Sequence, residues 1–231
     1  MNPSILYGSP LSLYTSRARS YLIKAGIPYR EVPARSDYFR ETVLPKAGIR
    51  TIPVLELADG EVVRDGAAII EHFESRNGYA FTPGTPRQNL VSLLFDVIGS
   101  EGLLRPAMHY RWNFPEENLT LVMAGFRELF PRGPRQTELA ESAANKMRHF
   151  CAAYGVSDTT QTAIEALYAD FLAALDEHLK TVPYLLGTRP SIGDFGLIAP
   201  LFAHLGRDPK PLALMQRKAP HVFRWVERMN R

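Results

Sequence analysis

Four hydroxyl side chains crowd one turn of this sequence: Ser12, Tyr14, Thr15 and Ser16 in "SPLSLYTSRARSYL", residues 9–22. The start of a helix needs one side-chain oxygen as its N-cap, so the stretch carries donors beyond capping. Two other stretches hold unusual chemistry. In "TIPVL" (51–55), Pro53 opens a strand, a position that restricts proline to a sheet edge or a special turn and suits a cis bond. In "RDGAAII" (64–70), Asp65 and Gly66 stand where a helix begins. Helix N-termini present free N–H groups and the positive end of the dipole, so a site fed by two of them favours an anion. Metal chemistry has no comparable footing. The six histidines show no H-x-x-x-H or H-E-x-x-H spacing, and one cysteine cannot build a zinc site. Phosphate-loop, dinucleotide and G-x-S-x-G signatures are missing too.

The elements that must position these residues follow from periodicity. "SILYG" (4–8) is a short β-rich run. Ala18, Tyr21, Leu22 and Ala25 then recur at helical spacing up to a stop at Gly26. "PYREV" (28–32) predicts a second strand, and 37–47 an irregular helix before Gly48. Asp59-Gly60 joins two strands in a hairpin, and Gly66, Ile69, Ile70 and Phe73 give a third helix. The order β-α-β-α-β-β-α implies a mixed sheet, its early strands parallel and its last pair antiparallel. "NGYAFTPGTP" (77–86) breaks the pattern, and only helical periods follow, including a stripe of Val91, Leu94, Phe95 and Ile98. "DFGLIAPLFAHL" (194–205) is apolar on all sides, as expected of a buried central helix interrupted by Pro200. The reading is an α/β domain over 1–78, a linker over 79–86 and an all-α domain over 87–231.

Composition narrows the function further. The chain has 231 residues, 45% of them apolar, enough for a sizeable core. A net charge of +3 with scattered basic residues gives no stripe for nucleic acid or a membrane surface. No apolar run reaches the roughly 18 residues of a membrane helix, and "MNPSILYGSP" does not read as a secretion leader. The expectation is a cytoplasmic protein with neither nucleic-acid nor membrane partners. Cys151, the lone cysteine, reads as a buried apolar residue on a helix.

The stretches "SPLSLYTSRARSYLIKAGIPY", "TIPVLELADGEVVRDGAAIIEHFE" and "YLLGTRPSIGDFGLIAPLFAHL", in this order and spacing, resemble those of a cytosolic glutathione S-transferase. The resemblance implies a thioredoxin-like first domain and a helical-bundle second domain. "SLYTSRAR" is similar to the serine-type opening of tau- and theta-like members, in which that serine bonds the glutathione sulfur. It implies Ser12 as the catalytic residue, with Tyr7 as the rival sulfur partner. It further implies that Ile52 and Pro53 hold the peptide's cysteine unit, Asp65 its γ-glutamyl ammonium and the N–H of Gly66 the adjacent carboxylate. Gly66 replaces the family's usual Ser. Thr51 replaces a basic residue, leaving Arg50 or Arg40 to meet the glycyl carboxylate. Tyr14, Met108, Tyr110 and Trp112 are the candidates for binding the acceptor. Ser191 and Asp194 match the family's capping box and are expected to be structural.

The thiol arithmetic agrees with the resemblance. Half-ionising a thiol of pKa about 8.5 near pH 7 requires roughly 2 kcal/mol. One hydrogen bond to a charged sulfur contributes about 1.5–3 kcal/mol, and a helix N-terminus about 0.3–1 more. One hydroxyl, Ser12, then serves the sulfur, and Thr15 or Ser16 serves the cap. The expected activity is transfer of glutathione to a small apolar electrophile by a homodimer with Phe95 near its axis, a detoxifying transferase that uses glutathione as co-substrate and no metal. Rival readings are a glutathione-dependent lyase, dehalogenase or isomerase, a binding or assembly protein of this fold, and a glutaredoxin-like reductase. The last would want a cysteine where Ser12 stands.

Overall fold

The computed structural model describes residues 3–231. Strand β1 (Ser4–Gly8) leads into helix α1 (Leu13–Lys24), then β2 (Tyr29–Pro33). A wide-turned π segment, Phe39–Val43, runs into the short helix α2 (Leu44–Ala47). The hairpin β3 (Val54–Glu56) and β4 (Val62–Arg64) then gives way to α3 (Gly66–Glu74). The sheet order is β2-β1-β3-β4, with β1 parallel to β2 and antiparallel to β3, and β3 antiparallel to β4. Parallel pairing of β1 and β2 requires the α1 crossover, whereas Asp59-Gly60 closes the hairpin with the Gly60 N–H donating to the Leu57 carbonyl (2.9 Å). This is the thioredoxin-like arrangement the sequence implied.

Alternation along the strands sorts side chains into two layers. The cross-strand pair Leu6–Leu55 faces α1 and α3, joining Tyr21, Leu22 and Ile69 in the main core. The next pair, Tyr7–Val54, faces the other way and packs with Phe39, Val43 and Ala47.

The second domain is all helix: α4 (Pro86–Val97), a π segment Ile98–Gly102, α5 (Leu104–Trp112), α6 (Pro115–Glu128), α7 (Gln136–Ala153), α8 (Gln161–Leu179), α9 (Ile192–Ala203), α10 (Pro209–Lys218) and α11 (Pro220–Met229). Helix α9 is buried along nearly its whole length. Glycines let α4 and the π segment after it lie directly on α9: a Cβ at Gly196 would come within 2.4 Å of the Asp96 Cα, and one at Gly99 within 2.2 Å of the Gly196 carbonyl carbon. The Asp194 carboxylate accepts from the Ser191 N–H (2.8 Å), the Leu185 N–H (3.0 Å) and Trp225 Nε1 (3.1 Å), fixing the start of α9. With the inner face of α4 on α9, much of the sequence stripe points outward: Leu94 and Ile98 are exposed.

Candidate active site

The N-termini of α1 and α3 meet. A Cβ at Gly66 would lie 2.7 Å from the Tyr14 carbonyl and 3.5 Å from the Arg17 Cβ, so glycine is what permits the approach. Ser12 is itself the cap of α1, in extended geometry, with its oxygen accepting from the Thr15 N–H (3.3 Å). This corrects the assignment of the cap to Thr15 or Ser16. Both are buried inside the first turn, where the Thr15 hydroxyl accepts from the Ser9 N–H (3.4 Å) and the Ser16 hydroxyl accepts from Arg19 (3.2 Å). The Ser12 oxygen accepts; its own proton finds no acceptor among the described residues. Ser12 is half-buried, so a ligand can reach it.

Tyr7 lies on the other face of the sheet, 3% exposed, and donates its hydroxyl to Glu56 Oε2 (2.9 Å). Glu56 also accepts from Tyr38 (2.5 Å). Burial, then the Glu56 hydrogen bond and charge, push the Tyr7 phenol far above its ordinary value. The only sign of this carboxylate clamp in the sequence is the lone acid, Glu56, amid the apolar residues of "VLEL".

Asp65 caps α3, its Oδ1 accepting from the Ala67 N–H (2.8 Å) and Ala68 N–H (3.4 Å), and it holds φ at +75°. Such a φ is sparsely populated outside glycine and is characteristic of ligand-holding positions. The second carboxylate oxygen of Asp65 and the Gly66 N–H remain without partners among the described residues. The Ile52–Pro53 bond is cis, and the Ile52 backbone N–H and C=O likewise have no partner among those residues. Thr51 is exposed, its N–H donating to the Ile49 carbonyl (3.0 Å). Of the two arginines, Arg40 is engaged by Asp37, whereas Arg50 is exposed beside Thr51.

Two of the expected acceptor residues are placed otherwise. Met108 and Tyr110 are 6% and 5% exposed in the core, with Tyr110 stacked on Phe114 and edge-on to Tyr168. Their alternation suggested a common wall, but "MHYRW" is helical, so Met108 and Trp112 share one face of α5 and Tyr110 points elsewhere. Trp112 lines a cavity of about 650 Å³ between α5, α6 and α7, with Met123 and Leu119, and with Arg127 and Arg148 at its sides. Tyr14 is part-exposed, its phenol pushed up by burial and by the Glu101 charge across from it on the second domain. Cys151 on α7 is half-buried, and burial pushes its thiol up. Among the described residues no group of His, Cys, Asp and Glu could hold a metal ion, and no helix is long and apolar enough to cross a membrane.

Two family models match the sequence, the glutathione S-transferase N-terminal domain over residues 6–83 and the C-terminal domain of the same family over 158–228. The chain belongs to the glutathione S-transferase family. No curated protein sequence gives a significant match. Among solved structures, a glutathione transferase from Phanerochaete chrysosporium superposes with a TM-score of 0.63 at 16% identity, covering 99% of this chain and 96% of that one. The β-etherase LigF from Sphingobium gives 0.58 at 18% identity over 99% and 95%. Glutaredoxin 2 from Salmonella typhimurium, in complex with glutathione, gives 0.58 at 13% identity over 100% and 95%. At these identities the likeness is one of fold. The family models leave residues 84–157 unmatched, the stretch that holds the cavity and the helices facing the Ser12 turn.

Proposed function

We propose that this chain is a glutathione transferase in which Ser12 stabilises the glutathione thiolate for attack on an electrophilic carbon. One observation carries the reading: Ser12 caps α1 through its oxygen, its proton has no acceptor among the described residues, and it does so where the N-termini of α1 and α3 converge. Of the two candidate sulfur partners, Tyr7 already commits its hydroxyl hydrogen bond to Glu56. The cysteine unit of glutathione would pair with the backbone N–H and C=O of Ile52, beside Pro53. Asp65 would hold the γ-glutamyl ammonium through its second oxygen, and the Gly66 N–H the neighbouring carboxylate. Thr51 and Arg50 stand at the glycyl end.

The chemistry asked of these residues is modest. The thiol proton leaves to water, and the Ser12 hydroxyl with the α1 dipole holds the charge that remains, roughly the 2 kcal/mol required near pH 7. The thiolate then forms a carbon–sulfur bond as the acceptor's leaving group departs with the bonding pair, the site supplying orientation. Tyr14 and the Trp112 cavity are the places we assign to an apolar acceptor. A glutathione-dependent ether-cleaving or isomerising enzyme would use the same thiolate.

A homodimer accompanies this reading. Leu90, Leu93, Leu94 and Val97 are 47–60% exposed at helical spacing along α4, an apolar stripe suited to a second copy of the chain. Phe95 itself turns toward Gly193 of α9, so the axis would lie along the leucines.

Retention on immobilised glutathione, together with turnover of a chloronitroaromatic acceptor, tests the proposal. Binding without turnover would favour a carrier, and absence of both an assembly role.

A further inference from the structure

The turn that carries Ser12 is held by a residue outside both family models. Arg111 on α5 is 4% exposed, yet each of its five N–H donors has an acceptor. Nε donates to Asp208 Oδ2 (2.7 Å) and Nη2 to Asp208 Oδ1 (2.9 Å) and the Ala203 carbonyl (2.7 Å). Nη1 donates to His204 Nε2 (2.6 Å) and to the Leu11 carbonyl (2.9 Å). A guanidinium has no lone pair to offer, so His204 Nε2 must accept. Its ring proton therefore sits on Nδ1, which donates to the Ala107 carbonyl (3.1 Å). Asp208 is fully buried, and burial with the adjacent Arg111 charge holds His204 neutral.

Four of the five acceptors belong to the second domain. The fifth, the Leu11 carbonyl, is one peptide away from Ser12. The Leu11 side chain packs directly on α6 at Gly125, where an added Cβ would lie 2.1 Å from its Cδ1. Inside the turn, the Leu11 N–H donates to the Ser9 hydroxyl (3.2 Å) and the Ser12 N–H to the Ser9 carbonyl (3.0 Å). A displacement of about 1 Å at a reacting group is enough to lower a rate severely, and this clamp removes that freedom.

We propose that Arg111 is a positioning residue for the reaction, holding the Leu11 carbonyl so that the Ser12 hydroxyl meets the glutathione sulfur. The proposal rests on the reading of Ser12 as the sulfur's partner. Arg111→Lys keeps the charge opposite Asp208 but cannot cover five acceptors with three protons. Gly125→Ala presses on Leu11 from α6 with no change of charge, and alanine suits a helix better than glycine.

The experiment is an ultraviolet titration of enzyme-bound glutathione in the wild type, Ser12→Ala and both variants, with near-ultraviolet circular dichroism as the test of folding. In a folded variant the thiol pKa is expected to rise by about one pH unit, part of what a charged hydrogen bond supplies, with glutathione affinity unchanged. A purely structural role for Arg111 would lower Tm and leave the titration alone. Folded variants that titrate like the wild type overturn the proposal; if Arg111→Lys does not fold, Gly125→Ala alone decides. Should wild type and Ser12→Ala titrate alike, the Ser12 reading itself fails and this proposal with it.

Discussion

Ser12 has two duties that substitution can separate. As the cap of α1 its oxygen accepts the Thr15 N–H at 3.3 Å. Replacing such a cap by Ala costs about 0.5–2 kcal/mol, and by Gly only a few tenths. As proposed donor to the thiolate it contributes about 1.5–3 kcal/mol, equivalent to roughly one to two pH units in the thiol pKa. Ser12→Ala should therefore lose both, lowering Tm by about 2–4 °C per kcal/mol in a chain of this size. Ser12→Gly should lose the donor and keep most of the stability. If the bound thiol moves from a pKa near 7 back to about 8.5, its ionised fraction at pH 7 falls from about one half to about 3%. Turnover at neutral pH should fall about fifteenfold in both variants and recover as the pH is raised through the new thiol pKa. The assay pairs thermal melts with ultraviolet titration of the bound thiolate. A titration in Ser12→Gly that overlays the wild type would refute the argument, whatever the melts show.

Other consequences are as specific. Asp65→Asn keeps the cap on Ala67 and tolerates the positive φ, so calorimetry should show about tenfold or weaker glutathione binding with little change in Tm. Gly66→Ser would restore the family's usual residue but drive a Cβ to 2.7 Å from the Tyr14 carbonyl; a lower Tm with no gain in glutathione affinity is expected. Leu94→Asp, placed in the exposed α4 stripe that we propose as the dimer face, should leave the chain folded and sediment as a monomer where the wild type sediments as a dimer. Because burial raises the Cys151 thiol, less of it is thiolate at any given pH, and it should react with a thiol reagent at pH 7–8 more slowly than free cysteine.

The sheet could be read before it was seen because each strand and turn declares itself locally: Asp59-Gly60 in the hairpin, helical spacing from Ala18 to Ala25, apolar character throughout α9. Misplacements came where a pattern fits two geometries. "MHYRWNF" alternates like a strand face, yet lies mostly in α5, which sends Tyr110 and Trp112 to different neighbours. The stripe of Val91, Leu94, Phe95 and Ile98 does not disclose which side of α4 meets α9: Gly193 comes against Phe95 and Gly196 against Asp96, which leaves Leu94 and Ile98 exposed. Arg111 carried no signal at all. An arginine reads as surface until Asp208, 97 positions later, folds against it.

The two halves share one interior. Tyr21 of α1 touches Phe195 of α9 edge-on, Leu6 and Ile69 belong to the same apolar mass as Trp225, and the Ser20 hydroxyl donates to the Met229 carbonyl near the end of the chain (2.8 Å). A chain severed at the connector would bare the flank of α1 to water on one fragment and the whole of α9 on the other. The protein should therefore melt as a single cooperative unit, and exchanging its helical half for a relative's would disturb the sheet half as well.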